Sequence, residues 1–445
     1  MPCFDQPDIK GVMTLEVITH EHWSALANAK VDFVEDGLDP DTVESMGLGY
    51  MADFFSRQGY TGLKRFVFEP TPKLSSYLWT VNVGSYVVKE CEDSPVPIKL
   101  ATRRGQYYEE SVAYCFEICK AAVAFYEHIF ACPYPFSKLD LVLVPMVRYT
   151  AMECAGCIVY GESMIGAQNW ANLTHGAIMN STITILHEVS HMWFGNMVTM
   201  EWWSDLWLNE SFATIISHMA YEHLFVQRKS PTDPIDVSAG TQETPGWMTF
   251  CKEKTKGYKD DLEPTTHPIE ASCETSDQAE MLLDGITYGK GACWARQLIM
   301  RIGLEKFLQG LSNYFNEFKW SNSTLDDFIR CMQQVYEPNS DSLTEFSSRW
   351  LKRQGVNSFT VREEQGKLIL TQGFMDFADQ VIKEQIVNIL AVLSDDFSQT
   401  YLFENVLISG QSTETVIELP EHICNDVKAY ILNYNELAYG IFYPD

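Results

Sequence analysis

Two histidines on one helical face, with a glutamate beside the first, constrain this chain more than any other feature. They form His187-Glu188-Val189-Ser190-His191, inside the apolar-periodic segment Ile183 to Phe194. On an α-helix positions i and i+4 share a face, so both imidazoles can address one ion. Glu188 lies about 100° around the helix from His187, close enough to hold a water at that ion. A catalytic zinc takes three protein ligands and keeps one position open, so a third ligand is expected on a neighbouring element. A turn signal at Gly195-Asn196 leads to a second helical segment, Leu206 to Ala213, and Glu210 lies there nineteen positions after His191. An antiparallel return of that length suits a carboxylate brought back onto the ion. The set His187, His191 and Glu210 fits one zinc ion best, with cobalt or manganese as substitutes in vitro. Asp205 and Asn209 are candidates to orient the histidines from behind. His218 and His223, further along the second helix, read as surface or satisfied core histidines. His20, His22, His128, His175 and His422 have no ligand-like companions.

The rest of the chain can support such a site. Its 445 residues, 46% hydrophobic and 13% aromatic, suffice for real cores, and the length suggests about three domains. Sixty acidic residues against 32 basic ones give a net charge of −28, which argues against nucleic acid or an anionic membrane as partner. The same field favours cationic ligands, peptide amino termini among them. No stretch approaches the ~18 apolar residues of a membrane span. Met1-Pro2-Cys3-Phe4-Asp5 has neither the basic nor the apolar region of a signal peptide. Twelve cysteines lie scattered without a framework pattern, so they are expected to be reduced and the protein cytoplasmic. The Asn-x-Ser/Thr triplets at Asn172, Asn180, Asn209 and Asn322 are chance occurrences, since Asn209 adjoins a proposed ligand.

Residues 1 to about 100 look β-rich, with strand-like runs at Val12 to Ile18 and Leu78 to Val83. From about 110 to 355 helical periodicity dominates, at 111–129, 180–194, 204–226, 290–302 and 325–336. From about 356 short strand-like runs return, including Lys367 to Leu370 and Gln385 to Leu390. The order is β, then mostly α, then β.

Several further elements match one known pattern in one order. They are Pro2 to Pro7, Leu74 to Trp79, Tyr134 to Asp140, His187 to Ala213, His267-Pro268-Ile269 and Ile286 to Gly291. At these residues the sequence resembles the gluzincin aminopeptidases, the family of aminopeptidase N, puromycin-sensitive aminopeptidase and leukotriene hydrolase. The resemblance implies a multidomain α+β fold: a partial N-terminal β-domain over 1–105, a thermolysin-like, mainly helical zinc domain over 106–355, and a small β-sandwich over 356–445. It also implies a zinc-dependent aminopeptidase that hydrolyses the N-terminal bond of peptides through a metal-activated water, in peptide catabolism. Glu188 is then the general base. Tyr288 donates a hydrogen bond to the tetrahedral oxyanion, a charge present only in the transition state. Thr150-Ala151-Met152-Glu153-Cys154 falls where the family carries its exopeptidase element, so Glu153 binds the substrate's free amine, with Ala151 and Met152 beside it. A carboxylate there gives binding energy only to a charged amino end next to the metal.

The sequence departs from the family in three ways. Thr150 and Cys154 stand where the family has Gly and Asn. The chain begins at the Pro-Cys-Phe-Asp element, so a polar partner for the amine is absent and the N-terminal β-domain reads as incomplete. It stops without a large helical C-terminal domain; a truncated gene product and a short protein both fit. Cys154-Ala155-Gly156-Cys157 is formally a CxxC, by itself a weak basis for a redox or metal site. Two rivals follow: a zinc-binding but inactive relative serving as a binding or scaffold protein, and an enzyme acting on another bond, an endopeptidase or a hydrolase of another small substrate. Glu188 and Tyr288 favour an enzyme, since a scaffold has no chemical need for either. Oligomeric state and side-chain preference stay open.

Overall fold

The computed structural model describes residues 3–60, 62–164, 166, 168–235, 245–424 and 426–443. Met1 and Pro2, named above at the N-terminus, lie outside the described residues. The chain divides into two compact units: Met1–Glu127, Pro133–Thr199 and Lys319–Asn322 form the first, and His128–Cys132, Met200–Phe318 and Ser323–Asp445 the second. The α+β composition is as expected, with sheets at the N-terminal end and helices in the middle.

The first unit opens with antiparallel pairings. Strand Leu63–Phe68 lies between Glu16–His20 and Val31–Leu38, and Ser24–Ala27 pairs with Val81–Gly84. The run read from Val12 becomes strand only at Glu16, and the run from Leu78 only at Val81, after a short turn Ser76–Leu78. Between Leu38 and Leu63 stand two short helices, Pro40–Ser45 and Gly49–Arg57, inside a region expected to be β-rich. Local chemistry explains them. Asp39 accepts the Thr42 N–H at 2.8 Å as an N-cap, and Pro40 occupies the first helical position. Val43, Ala52 and Phe55 then bury against Leu38 and Leu63.

This unit also holds a five-stranded sheet, in the order Ala151–Met152, Cys157–Gly161, Leu139–Val144, Ile98–Arg103, Tyr86–Cys91. The two central pairings are parallel and both edges antiparallel. Parallel strands need a crossover, and the helix Glu109–Phe130 supplies it between Ile98–Arg103 and Leu139–Val144. Leu139–Val144 reads almost continuously apolar and is nearly all buried, as a strand covered on both faces must be. Strands here depart from the helical reading of residues 110 to 355, because a short apolar run has no period that separates strand from helix. The edge strand Ala151–Met152 packs against the helix His175–Ser190, which carries His187 and Glu188.

In the second unit the helix Leu206–Tyr221 is buried along its whole length, which makes it a core helix. Phe212 sits among Trp294, Phe307 and Phe328, with ring centroids 6.0, 6.2 and 4.7 Å away. These partners come from the helices Gly291–Ile302, Leu304–Phe318 and Leu325–Tyr336. The C-terminal region forms two sheets. One orders Glu414–Glu418, Lys367–Phe374, Asn357–Glu364 and Ile441–Tyr443; the other orders Thr400–Ile408, Gln385–Val392 and Ala429–Tyr434. Alternate side chains Phe359, Val361, Leu368 and Leu370 of the first share one core with Val387, Ile389 and Ile408 of the second. Among the described residues no helix is long and apolar enough to cross a membrane. None of the twelve cysteines is in a disulfide.

A fully buried ion pair joins these layers. Lys290 Nζ lies 2.9 Å from Asp261 Oδ2 and also donates to the Gly355 carbonyl at 3.2 Å. Asp261 in turn accepts the Gly355 N–H at 3.0 Å and the Thr266 hydroxyl at 2.6 Å. Lys290→Ala strands the carboxylate without its counter-charge, a change that costs about 3–5 kcal/mol when the pair is buried. The expected outcome is a large drop in the denaturant midpoint of unfolding. A midpoint unchanged from wild type contradicts the structural weight given to this pair.

Candidate active site

The helix His175–Ser190 begins at Thr174, whose hydroxyl accepts the Ala177 N–H at 3.2 Å. Ile185, Leu186 and Val189 bury one face, and the Tyr126 hydroxyl donates to the Leu186 carbonyl at 2.9 Å. The helix stops at Ser190, and Gly195 adopts φ = 106°, a conformation open to glycine. The chain therefore folds back, and the Phe194 carbonyl comes within 3.0 Å of His191 Nδ1. A carbonyl only accepts, so Nδ1 carries the proton and Nε2 keeps its lone pair for a metal.

That lone pair faces its partners. His187 Nε2 and His191 Nε2 stand 3.0 Å apart. With a carboxylate oxygen of Glu210, the three ligand atoms all lie within 4.8 Å of one another. Two nitrogens at zinc's ~2.0–2.1 Å bond length sit roughly 3.3 Å apart on a tetrahedral ion, so this donor set fits a single zinc. His191, Glu188 and Glu210 are buried, and His187 is half-buried. Asp205 and Asn209 bond elsewhere: Asp205 accepts the Leu325 N–H at 3.3 Å, and Asn209 donates to Met200 Sδ at 3.0 Å. The orienting partner of His191 is a backbone carbonyl instead. Burial, with Glu270 nearby, pushes the Asp205 carboxyl up to about 6. His218 and His223 are buried and bonded to the Thr214 and Ser230 carbonyls at 2.9 and 2.8 Å, the core rather than the surface reading.

Ala151 and Met152 form the sheet-edge strand, opposite Tyr160 and Val159, and Glu153 follows in a buried loop. Three polar side chains fix that loop. Asn196 Nδ2 donates to the Glu153 carbonyl at 2.8 Å. Asn28 Nδ2 donates to the Ala155 and Leu78 carbonyls at 2.9 and 2.7 Å, and Asn28 Oδ1 accepts the Thr80 N–H at 2.8 Å. The buried Lys138 ammonium donates to the Gly156 and Ala27 carbonyls at 2.8 and 2.6 Å and to the Asp140 carboxylate at 2.7 Å. Cys154 and Cys157 are free, and burial pushes the Cys157 thiol up to about 12 and that of Cys154 higher still, with Glu153 and Glu188 adding to the latter. Burial of both thiols disfavours the thiolates that a redox or metal role requires.

Tyr288 lies on the π-helical turn Ile286–Lys290, half-buried among four buried neighbours. Ser211 Oγ donates to the Thr287 carbonyl at 2.6 Å, tying this turn to the helix of Glu210. Packing is too close for side chains at two positions: a Cβ at Gly289 would overlap the Glu253 carbonyl oxygen, and one at Gly291 would overlap Ser211 Oγ. Gly289→Ala is expected to destabilise by about 1–3 kcal/mol, the cost of forcing atoms into a packed core. Gly176→Ala, where a Cβ meets nothing within 4 Å, serves as the neutral control. Thermal unfolding followed by circular dichroism separates them; equal midpoints contradict the packing described.

Residues 114–350 match the Peptidase family M1 domain, more than half of the 445-residue chain. Aminopeptidase N of Streptomyces lividans is 32% identical over 359 residues, which cover 80% of this chain and 36% of that protein. Aminopeptidase M1-A of Oryza sativa subsp. japonica is 29% identical over 375 residues, 83% of this chain and 37% of its own length. Leucyl aminopeptidase of Saccharolobus solfataricus is 28% identical over 359 residues, 80% and 40% of the two chains. The chain spans about two-fifths of the length of the curated relatives it matches. The matched span holds the edge strand, His187, Glu188, His191, Glu210 and Tyr288 together, and on that match the chain belongs to peptidase family M1.

Proposed function

We propose that this chain is a metallo-aminopeptidase that hydrolyses the N-terminal bond of peptides with a free amino end. The observation that carries the reading is the convergence of His187, His191 and Glu210, with Glu188 one residue along the same helix. The relatives named as aminopeptidases support it. In this reading His187, His191 and Glu210 hold one zinc ion. Bound there, zinc polarises the scissile carbonyl as a Lewis acid and makes water acidic enough to attack at neutral pH.

The chain's own groups do the rest. The Glu188 carboxylate takes the proton from the attacking water and returns it to the leaving amine. The Tyr288 hydroxyl donates to the oxyanion as charge builds on it. Ala151–Met152, the edge of its sheet, offers backbone N–H and C=O groups to an extended substrate. Glu153 pairs with the substrate's ammonium and so selects chain ends over internal bonds. The domain division we propose is 1–105, 106–355 and 356–445, with a thermolysin-like middle domain and a β-sandwich-like C-terminal one. Twelve cysteines outside any disulfide support a reducing, cytoplasmic compartment.

Glu188→Gln is expected to keep one zinc per chain by elemental analysis while turnover falls by roughly 10²–10⁴, the usual weight of a general base. Unchanged turnover overturns the assignment. Glu153→Ala is expected to raise KM for free-amine substrates with zinc content unchanged. A variant that loses only kcat points away from an amine anchor.

A further inference from the structure

His267-Pro268-Ile269 takes no part in the chemistry above, yet the structure ties it to Tyr288. His267 Nδ1 lies 2.7 Å from the Pro268 carbonyl oxygen, and Nε2 lies 2.9 Å from Asp284 Oδ2. Both partners are acceptors, so both ring nitrogens must carry protons and the ring is an imidazolium. Asp284 is occupied on its other side. Its Oδ1 accepts the N–H groups of Ile286 and Thr287 at 2.9 and 3.0 Å, and its backbone carbonyl accepts the Tyr288 N–H at 3.0 Å. One carboxylate therefore caps the first turn of the segment that carries Tyr288 and anchors it to a cation. The pair is largely shielded, with side chains 20% and 24% exposed.

We propose that the His267–Asp284 ion pair is a positioning device for Tyr288, and that loss of the His267 proton releases the Tyr288 turn. The proposal rests on Tyr288 as the oxyanion donor. A neutral His267 ring turns a lone pair toward one of its two acceptors and gives up one bond. Asp284 then loses its anchor, and the cap on Ile286 and Thr287 loosens with it.

The charges facing His267 fit this role. Burial pushes its proton off, but the Asp284 carboxylate and Pro268 carbonyl outweigh burial and hold the imidazole above its ordinary range, against an opposing push from Lys290. Lys290 is itself paired with Asp261. Asp260 supports the same turn from the helix Pro245–Asp261 by accepting the Gly285 N–H at 2.7 Å. Because the folded value is raised, the pair's contribution is complete below the ordinary histidine range of about 6.5 and fades as pH climbs through the raised value. The effect on kcat therefore falls on the alkaline side.

The test is a double-mutant cycle on the zinc-loaded full chain, with a fluorogenic aminoacyl amide bearing a free amine. H267Q is expected to lower kcat by about tenfold or more, with KM within about twofold. Zinc content stays unchanged. In a Y288F background the same substitution is expected to change kcat by less than about twofold, because His267 acts through Tyr288. In D284N, where the amide oxygen still caps Ile286 and Thr287 and the amide N–H can serve a neutral His267, the alkaline fall of kcat that depends on His267 is expected to disappear. Equal losses from H267Q in both backgrounds overturn the positioning role, as does an alkaline limb that persists in D284N. A Y288F variant with full kcat, or a chain without turnover, overturns the underlying reading of Tyr288 instead. A readout free of turnover covers that case: the gap in thermal midpoint between wild type and H267Q narrows as pH rises, and a constant gap overturns the ion pair. Should H267Q not fold, D284N supplies the same comparison.

Discussion

The hydrogen bond between His191 Nδ1 and the Phe194 carbonyl carries more of this structure than its 3.0 Å length suggests. It decides which nitrogen of His191 is left to bind metal. It forms only because the helix ends at Ser190 and Gly195 takes a positive φ, which folds residues 191–196 into a tight turn. Apolar packing locks that turn. Met192, Trp193 and Phe194 are essentially inaccessible, and Trp193 meets the rings of Tyr126 and Tyr134 at 5.9 and 5.6 Å. Asn196 closes the same turn and reaches the Glu153 carbonyl at 2.8 Å. A single tight turn thus orients a proposed metal ligand and fixes the loop of the carboxylate proposed to read the substrate's amine.

Polar groups buried this deeply are costly unless each finds a partner. The structure meets much of that cost in two clusters, although Asp140 Oδ1 in the first is buried without a hydrogen-bond partner. Lys138 spends its three ammonium protons on Ala27, Asp140 and Gly156. Asp261 gathers Lys290, Thr266 and Gly355 in the second unit. Both clusters sit next to loops or turns carrying proposed site residues, Glu153 in one case and Tyr288 in the other. Rigidity there matters because a donor aimed at a developing charge works only if it is already in place.

Much of the metal site is legible in the sequence because its geometry is local. His187 and His191 share a helical face by spacing alone, and Glu210 needs only one turn and one return helix. Most of the long helices follow from the same periodicity, since a buried face repeats every few residues. What the sequence does not display is contact between distant segments. Asn28 bonds to Ala155, 127 positions away, and nothing in its local sequence sets it apart from other asparagines. The strands Leu139–Val144 and Cys157–Gly161 are short apolar runs without a diagnostic period. The helix at Pro40 is marked locally only by the cap Asp39 and by Pro40 at its first position, too little to stand out within strand-like surroundings. The orienting partner of His191 is hidden from the sequence for a related reason. Asp205 and Asn209 have suitable side chains, but a backbone carbonyl, invisible as a residue type, holds His191. Tyr288 and Glu153 stand out only through family resemblance, as neither forms a pattern with its neighbours.

The most direct measurement is fluorophore release from a panel of aminoacyl amides, free and N-acetylated, before and after chelation and again after zinc is restored. Release from free-amine substrates alone, abolished by chelator and recovered with zinc, is the predicted result. Release that survives chelation, or that is equally fast with acetylated substrates, contradicts a metal-dependent aminopeptidase centred on His187, His191 and Glu210.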